Sequence, residues 1–143
     1  MRKLMCGALA VAAAGCATAP VPTPVTEIEF GDICIIDNPR VRDGFRNAIE
    51  KNLLAKGFTP RVTREAELPT CPVALTYTAR WVCNIAGCTI VEAELVAYRE
   101  GKRAGNAGFD AMINPFGYYN AAYEVRVMVQ KLFPEAPAPG VAP

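Results

Sequence analysis

Residues 73–98, VALTYTARWVCNIAGCTIVEAELVAY, decide the fold of this chain. Two runs of β-branched and aromatic residues flank a turn-like segment, residues 84–87, and Cys83 and Cys88 stand on either side of it. Such runs joined through a short turn are typical of a β-hairpin. We therefore expect the sheet of the protein to be built on a long hairpin.

Alternation within the hairpin predicts which face is buried. The apolar face of the first strand carries Val73, Leu75, Tyr77, Ala79 and Trp81. That of the second strand carries Val91, Ala93, Leu95 and Ala97. Bringing both to one side of the sheet pairs Trp81 with Val91 and sets Arg80 opposite Glu92.

A β-bulge near the turn is predicted from the two cysteines. The register that aligns the apolar faces does not place Cys83 opposite Cys88. One extra residue between Trp81 and Val91 would satisfy both requirements, and bulges are common at sheet rims.

The N-terminus predicts export. Residues 1–3 are a basic start, and the apolar run 4–14 is too short to span a bilayer, so residues 1–15 are interpreted as a signal peptide. Removal of Arg2 and Lys3 leaves 13 basic and 14 acidic side chains. Without a basic patch, the chain is not expected to bind nucleic acid.

Residues 13–16, AAGC, resemble the lipobox of bacterial lipoproteins, in which the cysteine carries diacylglycerol. The resemblance implies lipid attachment at Cys16 and, because Ala17 follows, anchoring on the periplasmic face of the outer membrane. Two alternatives are cleavage after Ala19, which would release a soluble periplasmic protein, and lipidation of Cys6, which lacks small residues before it. The outer membrane, reached through this anchor, is the first expected partner.

Proline-rich composition predicts that both ends of the mature chain lie outside the packed domain. Residues 16–26 are expected to form a lipidated tether, whose residues 17–26 could reach about 30 Å in the polyproline form. Residues 134–143 are expected to be a disordered tail. A single domain is then predicted over residues 27–133.

The remaining pattern predicts an α+β domain in the order β-α-β-β-β-β-α. Residues 33–36, ICII, predict a strand covered on both sides, and Asn38 and Pro39 predict the start of a helix that Gly57 ends. Pro60 predicts an edge strand over residues 58–63, and a fifth strand follows over residues 103–111. The last helix, residues 119–132, is expected to bury Ala122, Val125, Val129 and Leu132, with Met128 nearby.

A right-handed crossover followed by a meander gives a two-layer sandwich with a five-stranded, mainly antiparallel mixed sheet. Both helices are expected on one face, and the strand order is expected to be 2-1-3-4-5.

Four cysteines remain besides the two in the leader and lipobox region, and in an exported domain an even count indicates two disulfides. Of the three possible connectivities we favour Cys83 with Cys88 across the hairpin turn, and Cys34 with Cys71 by elimination. A four-cysteine metal site is the rival interpretation, but the spacing is wrong and the chain has no histidine. Redox catalysis of the thioredoxin type would need a C-x-x-C motif at the start of a helix, which Cys83 and Cys88 do not form. We therefore predict neither a metal nor a cofactor.

No catalytic residue is predicted. The chain lacks histidine and serine altogether, which removes the common nucleophile and base arrangements. Glu92 and Glu94 fit a solvated strand face better than a pair of catalytic carboxylates. Phe116, Tyr118 and Tyr119 are the candidate recognition residues, but capping of the core where the last helix begins is the interpretation that we favour for them.

The runs Leu75-Thr76-Tyr77-Thr78-Ala79-Arg80-Trp81 and NPRVRDGF, residues 38–45, resemble small proteobacterial cell-envelope lipoproteins of unassigned activity. The resemblance covers most of residues 33–133 and brings no catalytic residue with it. We expect a non-enzymatic periplasmic domain that acts as a binding or assembly accessory for an envelope protein or a glycan. The alternative is a small hydrolase or carbohydrate-binding module using the Tyr118 loop and Glu92.

Overall fold

The computed structural model describes residues 21–25, 31–64, 70–111 and 119–134. Its elements are β1 (Asp32–Ile36), α1 (Asp43–Ala55), β2 (Thr59–Thr63), β3 (Val73–Asn84), β4 (Gly87–Arg99), β5 (Lys102–Asp110) and α2 (Ala121–Leu132). They form one five-stranded sheet in the order β2-β1-β3-β4-β5. The predicted α+β class, element order and strand order are confirmed.

The sheet is parallel on one side of β3 and antiparallel on the other. β1 pairs in parallel with both β2 and β3, whereas β3, β4 and β5 form an antiparallel meander. Both helices contribute to a single core on one face of the sheet, and β2 is an edge strand, as the proline in it predicts. The largest side chains buried completely in this core are Phe45, Ile33, Ile35, Ile49, Leu53, Leu75, Ile90, Leu95, Met128 and Leu132.

The predicted β-bulge is confirmed, and one predicted pairing is wrong. Arg80 faces Glu92, but the register then shifts, so that Trp81 faces Ile90 and Cys83 faces Cys88. Val91 is therefore the extra residue, and Ile90 occupies the buried position expected for Val91. A bulge changes the alternation beyond it, which is why the apolar face continues through Ile90.

β1 is covered on both faces, as its uninterrupted apolar run predicts. Ile33 and Ile35 lie in the helix-covered core, while Cys34 and Ile36 form a second buried cluster with Cys71 and Ala74. No helix in the described residues covers this outer face. A disulfide between Cys34 and Cys71 closes the cluster instead.

Both disulfides occur in the favoured pairing, Cys34 with Cys71 and Cys83 with Cys88. On the loop-entropy model, the 37-residue separation of the first corresponds to about 4 kcal/mol and the 5-residue separation of the second to about 2 kcal/mol.

The predicted start of α1 is wrong. Asn38 and Pro39 lie in a turn, and the helix begins at Asp43 after Arg42, whose side chain makes no capping hydrogen bond. The Asn38 amide is used elsewhere: its Nδ2 donates to the Tyr77 carbonyl oxygen at 2.9 Å. The end of the helix is as predicted, since Gly57 has a φ of 91°.

α2 begins two residues later than predicted, because the Asn120 side chain caps it by accepting hydrogen bonds from the backbone N–H groups of Ala122 and Tyr123. Ala122 is exposed, so its predicted burial is wrong. Val125, Val129, Leu132 and Met128 are buried as expected.

The chain joins the domain earlier than the tether prediction implies. Thr23 exchanges two backbone hydrogen bonds with Asn106 on β5, and the Val25 N–H donates to the Leu132 carbonyl oxygen at the end of α2. Val25 is buried in the main core. Thr23 and Val25, which the predicted tether includes, are therefore part of the packed domain. The predicted signal peptide, Cys16 and tail residues 135–143 lie outside the described residues. None of the helices described is both long and apolar enough to cross a membrane.

Gly105→Ala is expected to lower the free energy of unfolding by about 1–3 kcal/mol, because overpacking strains a close contact. A Cβ at this position would lie 2.5 Å from the Thr23 carbonyl oxygen and 2.8 Å from a Val25 methyl group. Urea unfolding of both the variant and Gly44→Ala measures the effect. A Cβ on Gly44 meets nothing within 4 Å, so this helical control should be neutral or stabilised by up to about 1 kcal/mol. Equal behaviour of the two variants would contradict the packing of residues 23–25.

Candidate functional site

A cleft of about 520 Å³ opens where β1 and β3 part. The two strands pair at Cys34 with Ala74 and at Ile35 with Leu75, and the ladder does not continue past Ile35 and Leu75. The cleft is lined by Ile36, Asp37, Asn38, Pro39, Arg40, Thr76, Tyr77, Thr78 and Tyr98.

The position of the cleft follows from the topology. β1 leads through α1 to β2 on one side, while β3 lies on its other side, so the chain leaves the carboxyl end of β1 at a point where the strand order reverses. Crevices outside the carboxyl ends of parallel strands, at such switch points, are where open α/β sheets bind ligands. The volume is within the range of small-molecule sites.

A hydrogen-bond network fixes the loop over β3. The backbone N–H of Asn38 donates to the Tyr77 hydroxyl at 3.1 Å, and the Asn38 side chain donates to the Tyr77 carbonyl. The Arg46 guanidinium donates to Asp37 Oδ1 at 2.9 Å, and the Tyr77 hydroxyl lies 3.4 Å from the same oxygen. The cleft wall is thus held before any ligand arrives.

Electrostatics keep this network in one protonation state. Burial of Tyr77, with the nearby Asp37 carboxylate adding to it, raises the pKa of the phenol, so the hydroxyl stays neutral and can donate. The hydrogen bond to Asp37 raises the pKa of Arg46 and keeps the guanidinium charged. The cleft therefore offers threonine hydroxyls, an arginine-paired carboxylate and the Tyr98 ring to a small polar ligand. Within residues 21–25, 31–64, 70–111 and 119–134, no group of three possible metal ligands occurs.

The structure separates the residues suggested for the hydrolase or carbohydrate-binding alternative. Trp81 lies on the helix side of the sheet, with its ring 5.8 Å from that of Phe45 in an edge-on arrangement. Glu92 lies on the opposite face and accepts a hydrogen bond from Arg80 at 3.0 Å. Glu94 is likewise paired, with Arg103.

Of the aromatic residues suggested for recognition, only Tyr119 is described. Its ring packs against Phe109 with 4.8 Å between centroids, and Tyr119 belongs to the rim of the main core. That placement agrees with the capping alternative. Phe116 and Tyr118 lie outside the described residues.

A second feature is the end of the hairpin, which extends past the rest of the sheet. We call residues 79–84 and 87–91 the ribbon. In the described part of the chain, β3 beyond Leu75 pairs with no strand other than β4, and β4 before Glu92 pairs with no strand other than β3. Val82 is 48% exposed and Ile85, in the turn, is fully exposed. The ribbon therefore presents backbone edges and apolar side chains to the surroundings.

Sequence reasoning missed the residues that shape the cleft. Asn38-Pro39 follows directly on a buried strand, and a helix cap was the interpretation given to it. The same pattern also fits a loop that leaves the carboxyl end of a central strand, and this signal could have indicated the cleft. Nothing in the spacing alone pointed to the contact between Asn38 and Tyr77, which are 39 residues apart.

Comparison with known proteins identifies the fold and no more. No family model matches the chain. No curated protein matches it either. A PelC dodecamer from Paraburkholderia phytofirmans matches with a TM-score of 0.56 and 12% identity, covering 79% of this chain and 97% of that one. PelC in a second crystal form matches with a TM-score of 0.51 and 11% identity, covering 78% of this chain and 94% of that chain.

Tyr77→Phe is expected to lower the free energy of unfolding by about 1–2 kcal/mol at pH 7, because two hydrogen bonds to the hydroxyl are lost. The folded wild type holds its phenolic proton more tightly than the unfolded chain does, since burial raises the pKa. The stability contributed by that proton is present below the ordinary pKa of about 10 and is lost as the pH rises through the raised value. The difference in free energy of unfolding between the wild type and Tyr77→Phe, measured with urea, should therefore become smaller above about pH 10. A difference that stays constant would contradict the buried, neutral phenol.

Proposed function

We propose that this protein is an outer-membrane lipoprotein whose domain works at the periplasmic face as a non-enzymatic assembly module, in contact with further copies of itself. The ribbon is the observation that carries the proposal. On its helix side the ribbon contributes Trp81 and Ile90 to the main core, but at its tip Val82 and the turn residue Ile85 are exposed apolar side chains, and such a group is a surface for association. The lipid anchor at Cys16 supplies the location.

The disulfides support an oxidising compartment. Disulfides persist in exported proteins and are rare in the cytosol, where thiols are kept reduced. Cys34 and Cys71 are 1% and 2% exposed, and their bond closes a buried cluster. A chain folded in a reducing compartment would have to bury two thiols there instead.

The point where the chain joins the domain supports a position close to the membrane. Six residues, 17–22, separate Cys16 from Thr23, which is bonded to β5. In the polyproline form they would span about 19 Å. An anchored domain would therefore stay close to the lipid, with the centre of β5 and the end of α2 nearest to the anchor.

The comparison supports self-assembly. The two PelC structures that share the fold are dodecamers. If the copies of this domain assembled as a closed ring, each copy would need two different surfaces, because the interfaces of a ring are heterologous. This domain has two unlike borders, the ribbon at one end of the hairpin and the edge strand β2 on the far side of the sheet. The ribbon can thus contact a surface on the next copy that differs from itself.

The state of the charged residues supports a non-enzymatic role. Glu92 and Glu94 are the carboxylates that a hydrolase would use. Each is paired with an arginine on an exposed strand face, Glu92 with Arg80 and Glu94 with Arg103. Asp37 is held by Arg46. Each of these carboxylates already has an arginine as its hydrogen-bond partner, which leaves it poorly placed to transfer a proton to a substrate.

Lipid attachment is tested by metabolic labelling of cells with an alkyne fatty acid. Cys16→Ser is expected to abolish labelling and to release the protein from the membrane fraction, because no other residue would carry the acyl chain. Cys6→Ser is the matched control and should keep wild-type labelling. Labelling that survives Cys16→Ser, or that is lost in Cys6→Ser alone, would contradict the proposed anchor.

Assembly is tested by native mass spectrometry of detergent-extracted protein. The wild type should be oligomeric, and Ile85→Lys should shift it to monomer, since a charge on the ribbon turn cannot be buried cheaply. Leu54→Lys is the control, because Leu54 is an exposed apolar side chain on α1, away from the ribbon. A monomeric wild type, or equal dissociation by both variants, would refute assembly through the ribbon.

A further inference from the structure

We propose that the Cys83–Cys88 disulfide is a thiol–disulfide exchange site, open to attack by a dithiol reductant while the Cys34–Cys71 disulfide of the same domain is not. The inference concerns the tip of the ribbon and is independent of lipid attachment and of assembly. Three observations support it: the exposure of the two cysteines, a neighbouring cation, and the position of the pair at the tip of the ribbon.

The two disulfides differ sharply in access. Cys83 and Cys88 are both exposed, at the end of the ribbon next to the turn. Cys34 and Cys71 are almost wholly buried on the outer face of β1. An attacking thiolate must reach a sulfur atom, so only the first bond is open in the folded protein.

A guanidinium lies against both sulfur atoms of the exposed disulfide. Arg42 Nη2 is 3.3 Å from Cys88 Sγ and 3.5 Å from Cys83 Sγ. The same guanidinium lies over the Trp81 ring, 5.3 Å from its centroid. Whichever sulfur leaves as a thiolate is therefore beside a positive charge.

A nearby arginine makes a cysteine sulfur a better leaving group. Cations stabilise the thiolate and lower the pKa of the thiol, and exchange is faster when the leaving thiol has a lower pKa. Trp81 holds the guanidinium in place through its ring, and Phe45 packs edge-on against that ring. The guanidinium is therefore held beside the disulfide by contacts that join the start of α1 to the ribbon.

The reaction balances with one dithiol. Its first thiolate attacks one of the two sulfur atoms, the Cys83–Cys88 bond breaks, and the displaced cysteine leaves as a thiolate beside Arg42. The second thiol of the reductant then attacks the mixed disulfide, closes its own disulfide and releases the other cysteine. Two electrons and two protons have moved, so the reductant is oxidised and the protein carries two thiols.

The buried disulfide provides an internal comparison. Arg61 Nη2 lies 3.4 Å from Cys34 Sγ, so a guanidinium accompanies that bond too. The difference between the two bonds is therefore exposure and not the presence of a cation. Exposure of the Cys83–Cys88 bond makes thiol–disulfide exchange possible, and Arg42 is expected to increase its rate.

The consequence of exchange is local. A two-stranded ribbon is marginally stable alone in water, and this one is held at its far end by the disulfide. Reduction should loosen residues 82–89 and leave the five-stranded sheet, with its buried disulfide, intact.

Selectivity is tested by exposing the folded full-length protein to limiting dithiothreitol, trapping free thiols with N-ethylmaleimide and mapping them by mass spectrometry. Cys83 and Cys88 should be modified at least about 10-fold faster than Cys34 and Cys71, because only their sulfur atoms are accessible. Running the same experiment on Ile85→Lys removes any shielding by neighbouring copies, so the result does not depend on assembly. Equal rates for the two bonds in that variant, or faster opening of Cys34–Cys71, would overturn the proposal.

The role of Arg42 is tested by the rate of that opening. Arg42→Gln should slow it about 3- to 10-fold, as expected if the pKa of the leaving thiol rises by about one to two units. Arg42→Lys should retain most of the rate, because the positive charge remains. Arg40→Gln removes a cation from the same loop that has no described contact with the sulfur atoms, and should match the wild type. An Arg42→Gln rate equal to or above that of the wild type would show that Arg42 acts only in packing.

Discussion

The Cys34–Cys71 disulfide resolves an imbalance in how the sheet is covered. Both helices lie on one face, yet β1 sits between two parallel neighbours and carries apolar side chains on both faces. Cys34 and Ile36 would face solvent if nothing lay over them. The bond brings Cys71 across the outer face, and Ala74 and the half-buried Tyr98 complete the cover. Burial of the outer face of β1, an interior strand of the sheet, therefore rests on a disulfide and its neighbours, where fully parallel sheets have a second helical layer.

The Val91 bulge has a comparable importance for the hairpin. With an unbroken register, either the apolar faces or the two cysteines could be aligned, but not both. The extra residue lets Leu95 and Ile90 share the helix side of the sheet while Cys83 faces Cys88. Since β1 and β5 end before the hairpin does, the segment beyond the bulge is held by its own ladder, by its disulfide and by the packing of Trp81 and Ile90 on the main core. Those conditions make the ribbon accessible to another chain and to thiols.

Sequence patterns predicted the features that depend on burial and covalent geometry. The hairpin, the bulge and the order of the elements follow from alternation and from the positions of Cys83 and Cys88, which are local signals. Pro60 predicted that β2 is an edge strand, because proline has no N–H to donate to a second neighbouring strand. The uninterrupted apolar run of β1 correctly indicated cover on both faces.

Features that depend on tertiary contacts could not be predicted in this way. Asn38 is a residue type that often caps helices, but its side-chain amide donates to the Tyr77 carbonyl on a distant strand. The helix α1 therefore begins four residues later than a cap at Asn38 predicts. Val25 belongs to a proline-rich segment that is typical of a tether, yet Gly105 leaves room for it beside β5. The cleft exists because the ladder between β1 and β3 ends after two residue pairs. The amino-acid sequence contains no local pattern that predicts where this ladder ends.

The most direct test is the redox state of Cys34 and Cys71 in protein that is quenched with acid in intact cell envelopes and then alkylated in denaturant without reductant. Unfolding is needed because both sulfur atoms are buried, so that free thiols would escape alkylation in the folded protein. An exported, oxidatively folded domain requires this bond in every folded molecule, whatever the state of the exposed pair at the ribbon tip. We predict that neither cysteine is alkylated until a reductant is added to the unfolded chain. Alkylation of Cys34 and Cys71 before reduction would contradict this prediction.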